Sequence, residues 1–306
     1  MTRTFPSVPL AALLLARFVA AQEVLDQSYV PNALTNGLEV TSAQPVTQTF
    51  TVGITGLLTR IEISRIAQHR GTPTQPLQVA IVTTVGGVPT TNVLASIQVQ
   101  PSSVPSATGP VQVDLLPFVL GVQQGMVLGI ALSSTALPGT QTYAWSGEAP
   151  NSTYANGQVF IQGTTSLPAW DLAFQTWVVP RGSSANYGAG FPGTNGVPTL
   201  TASGPPSIGT ARSMLLANSS GISTLGAYVF GLSRANLPTP FGGTLLVQSS
   251  ASVTVVLPPT GGTQPFLIPF VLAYCGLLVD VQGVVLDAGA AQGVAFSPGL
   301  ELTIGG

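Results

Sequence analysis

The sequence predicts an all-β chain, an N-terminal jelly-roll-like sandwich followed by a smaller immunoglobulin-like β-sandwich. Three observations predict it. Windows with apolar residues at i, i+3 and i+4 are almost always broken by Gly or Pro, so long helices find no support. Short apolar or alternating segments recur instead about every ten to fifteen residues, as short strands joined by turns do. The 35 Gly and 26 Pro that separate them are spread along the chain and form no low-complexity tract.

Taken in order, the chain opens with Arg3, an apolar stretch over residues 8–16, and Val19-Ala20-Ala21 before Gln22. A basic start, an apolar middle and small residues ahead of the cleavage point form a secretory leader pattern. Residues 1–21 are therefore expected to be a signal peptide, and the protein to be secreted, extracellular or held at the cell surface. The apolar stretch is shorter than the roughly 20 residues a membrane helix needs.

A first domain, residues 22–179, is expected to carry strands at 47–52, 57–66, 77–84, 92–99, 111–115, 126–133, 142–146, 158–162 and 171–179. Turns at 86–89, 101–110 and 138–139 separate several of them. Residues 180–196 (PRGSSANYGAGFPGTNG) lose all periodicity and read as a linker. A second domain, 197–306, is expected to carry strands at 199–202, 213–217, 227–232, 244–248, 252–257, 266–272, 276–286, 293–297 and 300–304. The run 266–279 (FLIPFVLAYCGLLV) is apolar but contains Pro269 and Gly276. It reads as two buried strands, and no membrane span is predicted.

Composition narrows the function. Hydrophobic residues make up 45% of the chain and charged residues only 6%, where about 25% charged is usual. The eight basic residues are all Arg, and the formal net charge is −2. Such a surface lacks the basic footprint that displaces counterions from phosphates, so nucleic acid is excluded as a partner. One Cys permits no intrachain disulfide. Cys275, in LAYCGLL, has no adjacent base and reads as a buried, inert thiol, and no His and Cys cluster exists for zinc. His69 is the single His; it reads as a solvent-facing loop residue, and no G-x-S-x-G accompanies it.

Ten acids are widely spaced, with Glu23 and Asp26 the one close pair, so the paired carboxylates of a glycosidase are not expected. The chain is read as no enzyme and as needing no cofactor. Calcium is the one metal its oxygen ligands suit, at Asp26 and Asp171 if the opening and closing strands lie side by side. Asn151-Ser152-Thr153 and Asn218-Ser219-Ser220 match a glycosylation sequon and mark exposed loops.

The most informative feature is aromatic. All three Trp (Trp145, Trp170, Trp177), with Tyr143, Tyr154, Phe160 and Phe174, fall between residues 143 and 177. Strand alternation puts Trp170, Leu172, Phe174 and Val178 on one face, the core, and Asp171, Gln175 and Trp177 on the other. Tyr143 and Trp145 also share a face, and Trp145 leads into a loop with Glu148, Asn151 and Tyr154. Two readings stay open. The rings fill a sandwich core, or Trp145, Trp177 and Tyr154, with Asp171 and Gln175, form a platform that stacks on sugar rings and holds their hydroxyls.

Residues 25–179 resemble a module of large secreted bacterial surface proteins of unassigned function. The resemblance rests on Leu25-Asp26-Gln27-Ser28, Gln48-Thr49-Phe50-Thr51-Val52 and Trp170-Asp171-Leu172-Ala173-Phe174-Gln175-Thr176-Trp177-Val178. The second domain is similar to a C-terminal module of such proteins, through Tyr187-Gly188-Ala189-Gly190-Phe191-Pro192-Gly193-Thr194 and Leu300-Glu301-Leu302-Thr303-Ile304-Gly305. In that family Cys often stands where Phe191 and Gly243 stand here, so the resemblance implies that packing replaces a bond its members make. It also implies a surface location and jelly-roll folds like those of carbohydrate-binding domains, an analogy of fold.

Two function classes follow. The first is a structural or adhesive surface protein whose partners are other surface proteins or further copies, since strand edges with few charges favour self-association. The second is a carbohydrate-binding module that takes extracellular polysaccharide through exposed rings.

Overall fold

The computed structural model describes residues 23–32, 36–150 and 152–306. The expected leader, residues 1–21, lies outside them. The described chain is all-β and forms two compact units that meet in sequence at Pro180 and Arg181. No helix among the described residues is long and apolar enough to cross a membrane.

The first unit holds β1 (Val24–Tyr29), β2 (Asn36–Val40), β3 (Val46–Thr51), β4 (Gly56–His69), β5 (Leu77–Val85), β6 (Val88–Val99), β7 (Gly109–Asp114), β8 (Leu120–Val122), β9 (Val127–Ser134), β10 (Thr142–Glu148), β11 (Val159–Ile161), β12 (Thr165–Leu167), β13 (Asp171–Leu172) and β14 (Phe174–Pro180). Eight of the nine expected strands are present as such and the ninth, 171–179, is split at Ala173 into β13 and β14; β1, β2, β8 and β12 are additions.

One antiparallel sheet runs β12-β11-β3-β9-β5-β6. The other is organised by β4, whose 14 residues pair with β14 and then β10 along one edge and with β8 and β7 along the other. Its sequence explains its length. Ile61 and Ile63 are buried and alternate with Arg60 and Glu62, and an irregularity between Ile63 and Ile66 turns Ile66 back to the core. The chain changes sheet from β2 to β3, β3 to β4, β4 to β5, β6 to β7, β8 to β9, β9 to β10, β10 to β11 and β12 to β13. This repeated crossing is jelly-roll winding. Both sheets bury residues in one core, including Phe50, Ile81, Ile130, Ile61, Trp145 and Phe174.

The second unit holds β15 (Ser183–Tyr187), β16 (Leu200–Ala202), β17 (Ala211–Leu216), β18 (Thr224–Gly231), β19 (Arg234–Pro238), β20 (Thr244–Val247), β21 (Ala251–Leu257), β22 (Gly262–Leu267), β23 (Leu278–Leu286) and β24 (Val294–Thr303). A five-stranded sheet β15-β24-β23-β18-β21 and a three-stranded sheet β16-β17-β22 share a core of Leu200, Met214, Leu216, Tyr228, Val281 and Leu300. The β19–β20 hairpin is fastened to the larger sheet by Gln282, which is fully buried. The Leu246 amide donates to Gln282 Oε1 at 2.8 Å, and Gln282 Nε2 donates to the Thr244 and Ser297 carbonyls at 3.1 and 2.9 Å.

Three sequence expectations are corrected here. Residues 180–196 are not a linker throughout, because Ser183–Tyr187 pairs residue for residue with the last strand. Its partner supplies the ordering that its own small and polar residues do not signal. The run 266–279 is not two buried strands: β22 ends at Leu267, a short 3-10 turn spans Leu272–Tyr274, and Leu267, Phe270, Val271 and Leu278 are exposed. Pro269 and Gly276 interrupt the ladder there. The expected strands 293–297 and 300–304 are one strand, β24 (Val294–Thr303).

Phe191 and Gly243, the two positions at which the resemblance implied that packing replaces a bond, are neighbours. A Cβ built on Gly243 would lie 3.0 Å from the Phe191 Cβ, and one built on Gly242 would lie 2.9 Å from Phe191 Cζ. The Phe191 ring thus packs against two glycines that have no side chain to hinder it.

Candidate functional site

The structure separates the residues chosen from sequence. Trp145 is fully buried, and its Nε1 donates to the Ala173 carbonyl at 2.9 Å. As a sugar-contact residue it is therefore corrected to a core residue: β10 continues to Glu148, so Trp145 does not open into a loop. Tyr143 beside it is also buried and donates to the Gln75 carbonyl. Trp177 and Gln175 do share the outer face of β14, and both are partly buried. The Arg60 guanidinium covers the Trp177 ring at 3.8 Å and is paired with Glu23 at 3.1 Å. Gln175 Nε2 donates to the Ser28 hydroxyl at 2.9 Å.

Asp171 does not join that face. β13 and β14 break at Ala173, and the Asp171 carboxylate is buried at 3% exposure. Gln48 Nε2 donates to its Oδ1 at 2.7 Å, and the Ser152 hydroxyl donates to its Oδ2. Burial is the main force raising its pKa, with Glu148 adding to it. Tyr154 packs edge-on to Phe174 at 5.3 Å, and its hydroxyl donates to Gln27 Oε1 at 3.0 Å. Asp26 Oδ1 accepts the Gly53 amide at 2.9 Å, and burial raises its pKa too.

Asp26 and Asp171 thus act on one residue, Tyr154, whose hydroxyl is held in its protonated form by burial and by both charges. For the expected calcium ion, the Asp171 oxygens already accept one protein donor each. No group of three or more His, Cys, Asp or Glu side chains suited to a metal forms among the described residues.

Sequence spacing missed a different feature. Topology sets acids in pairs that lie far apart in the chain. Glu148 and Asp171 are direct cross-strand partners on β10 and β13, and Tyr29 donates to Glu148 Oε2 at 2.8 Å. In the second unit Asp280 and Glu301 are direct partners on β23 and β24. Asp280 is 2% exposed, and its Oδ1 has no hydrogen-bond partner. The nearest cation, Arg234, stands 4.0 Å away and gives its close contacts to Glu301, 2.8 Å from Nη2. The same guanidinium covers the Tyr187 ring at 4.1 Å. Burial first, then Glu301, raises the Asp280 pKa. The signal that could have found both pairs is strand register, which one sequence does not supply.

The remaining candidates are structural. Cys275 is buried, and burial pushes its thiol up to about 11. His69 ends β4 opposite Thr142, not in a loop. Asn218 and Ser219, expected in an exposed loop, are buried: the Asn218 amide donates to Ile222 and Pro258 carbonyls, and Ser219 donates to Asp287. Asp287 also accepts the Thr194 amide at 2.8 Å and the Gly289 amide at 3.0 Å, and these donors hold its pKa below the ordinary carboxylate value against the opposing effect of burial.

No family model matches the chain, and no curated protein matches it. Among solved structures, a glycosyl hydrolase family 2 member from Bacteroides cellulosilyticus DSM 14838 shows 10% identity over 86% of this chain and 27% of its own, with a TM-score of 0.16. The chain spans about a quarter of that protein's length, and a likeness of this size carries no argument about function.

Proposed function

We propose that the chain works outside the cell, secreted or at the cell surface, as a non-catalytic structural and adhesive protein. The observation that carries this reading is where the reactive groups lie. Asp171 is bonded at both oxygens, Asp280 is buried and Cys275 is buried. A general acid or base must reach a proton on substrate within hydrogen-bond distance, and these groups face the fold's interior. What the units present outward is hydroxyls and amides together with exposed apolar side chains such as Val93, Leu94, Phe241 and Phe270, with 6% charged residues in the whole chain. The leader pattern and the single Cys support an exported protein that relies on packing alone.

The sugar-platform alternative loses its main support, since Trp145 is buried and Arg60 covers Trp177. The test is direct. Purified chain is incubated with chromogenic glycosides and esters and, separately, passed over surfaces carrying its own copies. No turnover and concentration-dependent retention are expected. Turnover of any substrate above buffer would overturn the reading.

A further inference from the structure

The outer face of the three-stranded sheet carries a groove of about 290 Å³. Register builds it. Thr201 on β16, Leu215 on β17 and Thr263 on β22 are cross-strand partners in a single row. Neighbouring strands lie roughly 4.8 Å apart, so two hydroxyls flank one aliphatic side chain.

Beside this row the Ala217 amide donates to the Thr199 carbonyl at 2.9 Å, and Gly261 lies close to Ala217. Gly261 has φ +96°, and a Cβ there would come within 2.5 Å of the Leu216 carbonyl oxygen. Glycine is required, and with Ala217 it leaves the floor low between Thr199 and Thr260.

The lining contains no charged residue. Thr199, Thr201, Thr260 and Thr263 are all exposed, and none of their hydroxyls has a hydrogen-bond partner among the described residues. Leu215 is 40% exposed between them. A hydroxyl both donates and accepts, so this set matches a ligand whose own groups do both. A neutral lining offers nothing to offset the desolvation of a charged one. The aliphatic centre suits a C–H face.

We propose that this groove binds a neutral, polyhydroxylated ligand: one or two sugar rings of an uncharged glycan. The volume is near the lower end of small-molecule sites, roughly 300–1,000 Å³, which sets that size. Without an aromatic ring to stack on, the affinity is about millimolar. The inference rests on the non-catalytic reading and names its contact.

Maltose, cellobiose and diacetylchitobiose are titrated into the 15N-labelled full chain, with digalacturonate as the charged control. At least one neutral disaccharide is expected to shift the Thr201, Leu215, Gly261 and Thr263 amides, and digalacturonate none of them. The T201V/T263V variant should bind roughly tenfold more weakly, the loss of two hydrogen bonds. Leu215→Arg, at an exposed position, serves as a second block if that variant does not fold. Absence of shifts with all three sugars, shifts confined to another face, or unchanged binding in both variants overturns the groove. New product resonances would overturn the non-catalytic reading instead, so the two failures are distinguishable.

Discussion

Each unit sets a buried aspartate opposite a partly buried glutamate on adjacent antiparallel strands, Asp171 opposite Glu148 and Asp280 opposite Glu301. Burial raises both aspartates' pKa values. The surroundings differ in donors. In the first unit Gln48 and Ser152 supply one hydrogen bond to each Asp171 oxygen. In the second, Asp280 Oδ1 has none, Arg234 at 4.0 Å is turned toward Glu301, and the Tyr187 hydroxyl, which donates to the Leu246 carbonyl at 3.0 Å, is the other nearby group that favours the charged carboxylate. A buried carboxylate is costly unless donors replace its water, so the same geometry yields an acid bonded at both oxygens in one unit and an acid with one unmet oxygen in the other.

The largest effect that would sharpen this contrast is on stability. Asp171→Ala removes the acceptor of two donors, one of them the fully buried Gln48, and should cost about 3 kcal/mol, the upper range for hydrogen bonds to a charged group. Asp280→Ala removes a charge with an unmet oxygen and should cost less than about 1 kcal/mol. All three Trp lie in the first unit, so Trp fluorescence during denaturant unfolding reports Asp171→Ala, and amide exchange along β23 reports Asp280→Ala. Equal costs would break the comparison.

The pH dependence separates the acids further. For Asp280 the folded pKa is raised, so the folded state holds more protons than the unfolded one between the unfolded value, about 3.9, and the raised value. Stability of the second unit therefore falls as pH rises through that window. Asp287 has the opposite sign: its folded pKa is lowered, so its contribution is present above about 3.9 and disappears as pH falls through the folded value. Asp280→Asn should flatten the decline above pH 4, and Asp287→Asn the loss below it. Unfolding midpoints at half-unit pH steps, read by exchange along β23, check both; an unchanged profile in Asp280→Asn would trace the decline to another group.

The fold was legible because turn residues and apolar alternation are local. β4 and β9 announce themselves in ten or so residues, whereas β15 and β1 do not: Ser183–Tyr187 and Val24–Tyr29 are strands because β24 and β14 offer them an edge. The site was less legible for the same reason. Alternation placed Gln175 and Trp177 on one face, as found, but it assigned Asp171 there too, and the break at Ala173 buries it. Nothing near Trp145 in sequence tells that Ala173 will accept its Nε1 proton. The acid pairs were invisible altogether, since 22 residues separate Glu148 from Asp171 in the chain while a single register makes them partners.

The smallest effect concerns a second parallel. Each unit lays an Arg over an aromatic ring and pairs it with a Glu: Arg60 with Trp177 and Glu23, Arg234 with Tyr187 and Glu301. Losing Arg234 leaves Glu301 facing a buried Asp280 with no cation, so Arg234→Gln should cost about 1 kcal/mol despite the exposure of the guanidinium. Losing Arg60 leaves Glu23 free to take up water, so Arg60→Gln should cost no more than about 0.5 kcal/mol, the range of exposed pairs and cation–π contacts. Its sharper readout is optical, because the uncovered Trp177 ring should move fluorescence to longer wavelength. If the Arg60→Gln protein also gained retention on insoluble polysaccharide, the outer face of β14 would be a sugar platform that Arg60 masks, and the parallel between the two arginines would fail.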